Sequence, residues 1–249
     1  MASYLSRKKE LKEPDEFQDV VMHIVAWIKK EKKKLISLLL ISTLGVAIGL
    51  GLFYYLNDKK EKAILLEAEA LENYYSALKG SDNNQQEEKV VQTKTAEEKY
   101  KKALELFSKE IDTYTWTDCG KRALYYIGSC YYYLKDYSPA EKYYLEYLKK
   151  YPKDGLFSRA ALRDLGYLFE GQKKYDEALV YYQKILTFYP RKMENDQVYL
   201  DLGRCYDALN KTKEAKEVYE KAIAEFPETS WKGEIDKKLE NLKRKEVCN

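Results

Sequence analysis

The chain has 249 residues, and its 44 basic and 41 acidic side chains leave a net charge of only +3. That near-balance argues against a nucleic-acid-binding protein, which normally carries a clear basic excess. Histidine occurs once, beside 25 tyrosines, whereas metal sites and general-base catalysis rely heavily on histidine. The sequence shows no nucleophile–base pair, phosphate loop or metal-ligand spacing. We therefore expect no enzyme, and no cofactor, metal or small-molecule substrate.

Residues 1–34 are predicted to be a short cytoplasmic segment that contains an amphipathic helix. Apolar side chains recur in it at three- and four-residue intervals, as on one face of a helix. Trp27 and the lysines that follow suit a helix that lies on the inner membrane surface or runs into the next segment, although a short helix without a partner fits equally well. The apolar positions are Phe17, Val20, Val21, Ile24 and Ile28.

Residues 35–56 read LISLLLISTLGVAIGLGLFYYL, without a charge or a proline. As a helix they would be roughly 33 Å long, which exceeds the bilayer's hydrocarbon core of about 30 Å. A cleaved signal peptide has a shorter apolar core followed by a small-residue cleavage site, so we predict an uncleaved transmembrane helix. Gly45 and Gly49 form a GxxxG pair, which predicts packing against a second helix in the membrane, although such pairs also arise by chance.

The lysines that flank this span predict its orientation. Five lysines lie within residues 29–34 and three within residues 59–62. Because lysine is enriched on the cytoplasmic side of a membrane, the N-terminus is expected inside and the large C-terminal part outside.

The remainder of the chain contains an internal repeat. A Leu/Ile-Gly pair occurs three times, and an alanine, a tyrosine and a proline follow each glycine after 12, 16 and 24 residues. The small residues allow two helices of a hairpin to approach closely, the tyrosine fills the groove towards the next hairpin, and the proline ends the second helix. The positions are Gly128, Ala140, Tyr144 and Pro152; Gly166, Ala178, Tyr182 and Pro190; and Gly203, Ala215, Tyr219 and Pro227.

These positions resemble the tetratricopeptide repeat (TPR) family. The resemblance implies a TPR-type helical solenoid. Together with the apolar span at 35–56, it predicts an all-α fold in which a single N-terminal transmembrane helix is followed by that solenoid. The period here is 38 and then 37 residues, against about 34 in the family, so each linker carries extra residues. The predicted organisation is a degenerate first helical pair at 57–120, three TPR units at 121–228 and a C-terminal capping helix at 229–249.

The degenerate pair is expected to contain a polar, mobile loop from Gly80 to Lys94, with Thr95 and Glu98 forming a capping box for the helix that follows.

The repeats also indicate whether the four cysteines can form disulfides. Cys130 and Cys205 occupy equivalent positions two repeats apart, beyond the reach of a disulfide. Free buried thiols are therefore favoured, with Cys248 open to pairing between chains.

The resemblance implies that the first helix of each unit lines a concave surface that binds other proteins. Tyrosine and arginine are the side chains most enriched at binding hot spots, although ordinary packing also explains them. The family's clamp for C-terminal carboxylates needs asparagines that this sequence lacks. The residues expected on the concave face are Arg122, Tyr125, Ser129, Tyr132, Tyr133, Arg163, Tyr167, Glu170, Arg204 and Asp207.

The whole layout resembles the YfgM-like proteins, which are ancillary subunits of the bacterial SecYEG translocon and associate with a membrane-anchored periplasmic prolyl isomerase chaperone. That resemblance implies a single-pass protein of the bacterial inner membrane, whose periplasmic domain acts as an adaptor or chaperone at the Sec translocon. The alternative is a structural scaffold subunit of another envelope complex, in cell division or outer-membrane assembly. Neither function involves nucleic acid.

Overall fold

The computed structural model describes residues 16–80, 86–152, 155–190 and 195–248. Within these ranges the chain forms helices joined by turns, without a strand, which confirms the predicted all-α class. The helices are α1 (Glu16–Gly80), α2 (Gln86–Tyr114), α3 (Asp118–Tyr133), α4 (Tyr137–Lys150), α5 (Gly155–Gly171), α6 (Tyr175–Phe188), α7 (Asn195–Ala208), α8 (Thr212–Glu225) and α9 (Lys232–Cys248).

The chain divides into two compact units, Met1–Lys59 and Lys60–Asn249. In the first, the described residues belong to α1, which among the described helices is the one long and apolar enough to cross a membrane. Its most apolar stretch has a mean hydropathy of 2.4, and none of that stretch is buried. A Cβ atom added at Gly45 or Gly49 would meet nothing within 4 Å. The surface at these two glycines is therefore open.

Helix α1 begins at Glu16 and ends at Gly80, so the amphipathic segment runs directly into the apolar span, which is one of the two arrangements expected from the sequence; residues 1–15 lie outside the described residues. A prediction about the next segment needs correction. The loop predicted from Gly80 to Lys94 is shorter than expected, because α2 begins at Gln86. Thr95 is therefore inside α2, and the predicted helix start at that residue is wrong.

The second unit is a stack of helical hairpins: the end of α1 with α2, α3 with α4, α5 with α6, and α7 with α8. In the three repeats the ring of a fully buried tyrosine lies over a glycine. A Cβ on Gly166 would lie 2.2 Å from Cε1 of Tyr182, and one on Gly203 the same distance from Cε1 of Tyr219. This tyrosine was expected to fill the groove between its hairpin and the next. Its ring instead packs against the glycine of its own hairpin.

The turn inside each hairpin has the same backbone conformation in all three repeats. Lys135, Lys173 and Asn210 have φ angles of 63°, 61° and 58°, and each lies two residues before the second helix begins. In the first of these turns, N–H of Lys135 donates to O of Tyr132 and N–H of Asp136 to O of Tyr131, both at 2.9 Å. This is the Schellman pattern, which satisfies the last carbonyls of the first helix.

The last described helix, α9, packs against α8. Ile235 and Leu242 are 0% and 1% exposed and join the core of the last hairpins. The other face of α9 is largely exposed and charged. An end helix of this kind closes the hydrophobic core of a solenoid against water.

Candidate protein-binding groove

The ten residues predicted on the concave face lie on the first helices of the three hairpins, α3, α5 and α7. These helices are neighbours in the stack, and α3 packs directly against α5. The structure thus brings the predicted residues together along one row of helices. It also shows that many of them already hydrogen-bond to the neighbouring hairpin.

The contacts between α3, α5 and α7 form what we call the inter-repeat ladder: Tyr125–Asp164, Arg163–Gln197–Tyr167 and Glu170–Arg204. The Tyr125 hydroxyl donates to Oδ2 of Asp164 at 2.8 Å. Nη1 of Arg163 donates to Oε1 of Gln197 at 3.3 Å, and Nε2 of Gln197 donates to the Tyr167 hydroxyl at 3.0 Å. Burial raises the pKa of both Tyr125 and Asp164. These polar groups therefore join one repeat to the next.

One contact of the ladder, each of which we call a rung, is an ion pair that joins Glu170 to Arg204 by two hydrogen bonds. Nε and Nη2 of Arg204 each donate to a carboxylate oxygen of Glu170 at 2.9 Å. Nη2 also lies 2.8 Å from Oδ1 of Asp201, whose side chain is 1% exposed. Burial raises the pKa of Asp201 to about 6, while Arg204 opposes that shift. The Tyr182 hydroxyl donates to Glu170 as well, at 2.9 Å, so this rung also ties α5 to its own second helix.

Two further predicted residues on α3, Arg122 and Ser129, face the end of α1. Arg122 donates from Nε and Nη2 to the two carboxylate oxygens of Glu67, at 2.6 and 2.5 Å. Ser129 is 2% exposed and shares a 2.6 Å hydrogen bond with the Tyr74 hydroxyl. In this structure both residues hold the degenerate first hairpin to the repeats. Asp207, the last of the predicted set, is half-buried on α7.

Exposed aromatic side chains gather at the α1–α3 end of the row, in a patch that we call the tyrosine shelf. Tyr133 is 41% exposed, and its ring stacks on Tyr100 with the centroids 5.0 Å apart and an interplanar angle of 2°. The ring of Tyr132 meets the ring of Tyr133 edge-on and the ring of Tyr137 in a tilted arrangement. The shelf consists of Tyr132, Tyr133 and Tyr137, which contact one another in sequence, and of Tyr75, which is joined to Tyr133 through the buried ring of Tyr74.

Sequence reasoning found two members of the shelf and missed the other two. Tyr75 comes from α1 and is 48% exposed, and Tyr137 begins α4 and is 36% exposed. Neither lies at one of the glycine, alanine, tyrosine or proline positions from which the repeat was recognised, so that pattern carried no signal for them. The large number of tyrosines was the available hint, but it did not show which of them meet.

Stacked helical hairpins with a row of first helices along one side define the α-helical solenoids, a class of repeat protein. Residues 122–154 and 157–224 match family models described as tetratricopeptide repeat. The chain therefore contains TPR repeats, as its repeat positions predicted.

The chain also matches solved structures. A putative kinesin light chain with nearly identical TPR-like repeats from Podosopora anserina matches with a TM-score of 0.51 and 12% identity, over 61% of this chain and 82% of that one. At that identity the likeness concerns the fold alone. BtubC from P. vanneervenii matches with a TM-score of 0.46 and 16% identity, over 60% of this chain and 68% of that one. MamA from Desulfovibrio magneticus RS-1 matches with a TM-score of 0.45 and 20% identity, over 59% of this chain and 87% of that one. No curated protein matches the chain.

Proposed function

We propose that this protein is a membrane-anchored TPR adaptor or chaperone, not an enzyme, and that it binds other proteins at the tyrosine shelf and the adjoining first helices. The observation that carries the proposal is the shelf itself. Three of its four tyrosines are at least 36% exposed, and exposed aromatic side chains that form a patch mark sites of interaction. Tyrosine is also among the side chains most enriched at binding hot spots.

The shelf is better suited to a partner than the inter-repeat ladder is. A partner that bound Arg204 or Tyr125 would compete with hydrogen bonds to Glu170 and Asp164 that already exist. The shelf rings, in contrast, are held by one another and by buried neighbours such as Tyr74. Their conformations are fixed before binding, so a partner has less side-chain freedom to immobilise.

The proposed cellular setting follows from the N-terminal part. The apolar stretch of α1 anchors the protein in the bacterial inner membrane, with residues 1–34 in the cytoplasm and the solenoid in the periplasm. Its long apolar stretch and the surplus of lysines before the span support this arrangement. The layout further suggests an ancillary subunit of the SecYEG translocon that works beside a membrane-anchored prolyl isomerase chaperone. The GxxxG surface at Gly45 and Gly49 is the proposed contact with a membrane helix.

The topology has a direct test. Protease added to intact spheroplasts is expected to digest the region from Ala63 to Asn249 and to leave an N-terminal tag protected. The lysine distribution is the physical reason, since it opposes translocation of the N-terminal end. Lysed spheroplasts serve as the control, because there the tag must become accessible. A protected C-terminal domain in intact spheroplasts would reverse the orientation and the compartment.

The shelf has its own test, a crosslinking pull-down from membranes with the double variant Tyr133→Ala and Tyr137→Ala. If both side chains are hot spots, each is worth about 2 kcal/mol, or roughly a 30-fold loss of affinity. The matched control is Phe188→Ala, which removes an aromatic ring that is 50% exposed on α6, away from the shelf. The double variant should lose its soluble-domain partners, while the control keeps them.

Gly45→Leu combined with Gly49→Leu should have the opposite effect. This variant should lose membrane partners and keep soluble ones, because leucine prevents the close approach of two helices.

If the shelf variant retains every partner, the shelf is not the binding site, and the segment from Gly80 to Lys94 becomes the next candidate. If no translocon component accompanies the wild-type protein, the translocon assignment fails and a scaffold role in another envelope complex replaces it.

A further inference from the structure

Glu110 on α2 is buried in an unusual way. Its side chain is 0% exposed, and neither carboxylate oxygen has a hydrogen-bond partner among the described residues. A buried carboxyl group without partners costs free energy, so the great majority of such groups are hydrogen-bonded or bind a metal. Glu110 therefore calls for a partner beyond those that the described part of the chain supplies.

Two further ligand atoms lie next to it. A carboxylate oxygen of Glu67, a carboxylate oxygen of Glu110 and Sγ of Cys119 all lie within 4.8 Å of one another, and all three residues are buried. In a tetrahedral zinc site the Zn–S and Zn–O bonds of about 2.3 and 2.0–2.2 Å leave the ligand atoms roughly 3–4 Å apart. Small side-chain rotations therefore bring this set to bonding distance.

We propose that Glu67, Glu110 and Cys119 bind one divalent transition-metal ion, with Zn²⁺ as the best chemical fit. The thiolate selects against Mg²⁺ and Ca²⁺, which prefer six or more oxygen ligands. A cavity of about 210 Å³ reaches Cys119 and leaves room for a water molecule as fourth ligand. It is lined by Lys60, Ile64, Thr117, Asp118, Cys119 and Arg122.

The surrounding charges balance around such an ion. Three anionic ligands carry −3, Arg122 contributes +1, and a divalent ion cancels the remaining −2. Arg122 donates to both carboxylate oxygens of Glu67, at 2.5 and 2.6 Å, and its Nη2 also lies 3.5 Å from Sγ of Cys119; a carboxylate has enough lone pairs to accept an arginine and a metal together. When the metal–sulfur and metal–oxygen bonds form, protons on the Cys119 thiol and the Glu110 carboxyl pass to solvent.

The site has a structural consequence. Its ligands come from α1, α2 and α3, so one ion joins the degenerate hairpin to the first regular repeat. That origin also explains why the cysteine spacing in the sequence gave no sign of a metal site. Metal sites that join separate elements stabilise the fold by their binding free energy.

Co²⁺ is a suitable probe, because a cobalt–thiolate bond gives a charge-transfer absorption that Zn²⁺ removes when it displaces cobalt. The full-length protein, in detergent micelles and freed of metal by a chelator, is titrated with Co²⁺. We expect the absorption to saturate at one cobalt per chain and to disappear on addition of Zn²⁺. Cys119→Ser should abolish it, and Glu110→Gln should weaken cobalt binding at least about tenfold.

Cys130→Ser is the matched control, because Cys130 is also a buried free thiol on α3 but lies among apolar side chains; this variant must keep the absorption. A wild-type protein without the absorption overturns the proposal, and so does an absorption that survives in Cys119→Ser. Circular dichroism in metal-free buffer shows whether that variant folds. If it does not, Glu110→Gln decides, because unchanged cobalt affinity in this nearly isosteric variant contradicts the site. None of these outcomes depends on the tyrosine shelf.

Discussion

Replacing Gly166 with leucine is expected to lower the free energy of unfolding by about 3 kcal/mol or more. The first added atom, Cβ, would lie 2.2 Å from Cε1 and 2.6 Å from Cζ of Tyr182. That ring is 0% exposed and its hydroxyl is hydrogen-bonded to Glu170, so it has no free space to move into. The helices α5 and α6 would have to separate. Thermal melting of the protein, followed by circular dichroism, measures the effect.

Gly171→Leu is the control for this experiment. Gly171 is an exposed glycine in the last turn of α5, and a Cβ there would meet nothing within 4 Å. The same chemical change should therefore leave the melting temperature almost unaltered. If Gly166→Leu melts like Gly171→Leu, the hairpin does not close over Gly166 as the structure shows.

Replacing Arg204 with methionine is expected to cost about 3 kcal/mol, because it leaves two carboxylates without their shared cation. Glu170 is 20% exposed and Asp201 only 1%, so water replaces the lost charge poorly. Methionine keeps much of the length and apolar volume of the arginine stem. Urea unfolding at a fixed pH gives the free energy, and the loss should appear as a lower midpoint.

The pH dependence of this loss has a definite sign. Burial has raised the folded-state pKa of Asp201 to about 6, above the usual value of about 3.9. The folded state then binds more protons than the unfolded state between these values, so stability falls as the pH rises through 6. Arg204 lowers that pKa, and without it the fall continues to higher pH. The variant should therefore lose more stability at pH 8 than at pH 5.

Arg244→Met supplies the comparison. Arg244 pairs with Glu240 on α9, but the two side chains are 71% and 63% exposed, and pairs of this kind contribute less than about 1 kcal/mol. Its replacement should change the urea midpoint little at either pH. An Arg204 variant that behaves the same way would show that the ladder contributes nothing measurable to stability.

The repeats were predictable from the sequence because one physical constraint recurs at a fixed spacing. The buried contact of Gly166 with Tyr182 needs a glycine and a tyrosine 16 residues apart, and the same pair appears as Gly203 with Tyr219. The all-α class and the TPR repeats followed from these offsets. The turns were not foreseen, because Lys135 and Lys173 give no local sign that they adopt a left-handed conformation.

The candidate site was only partly predictable. The row of first helices was anticipated. The ladder, in contrast, joins residues 30 to 39 positions apart, and the pairs of side chains differ from one contact to the next, so no recurring residue type marks it in the sequence. The shelf draws Tyr75 and Tyr137 from outside the repeat positions. The cluster of Glu67, Glu110 and Cys119 comes from three helices. Contacts of this kind depend on how the hairpins stack.

The ladder also determines how the local unfolding of one repeat affects the other repeats. Each rung joins a hairpin only to its immediate neighbour, so the coupling between distant repeats is the product of nearest-neighbour steps. Helix α5 has rungs to α3 and to α7, whereas the ladder joins α7 to α5 alone. Local unfolding of α5 therefore has to break ladder contacts on both of its sides, while local unfolding of α7 breaks them on one side.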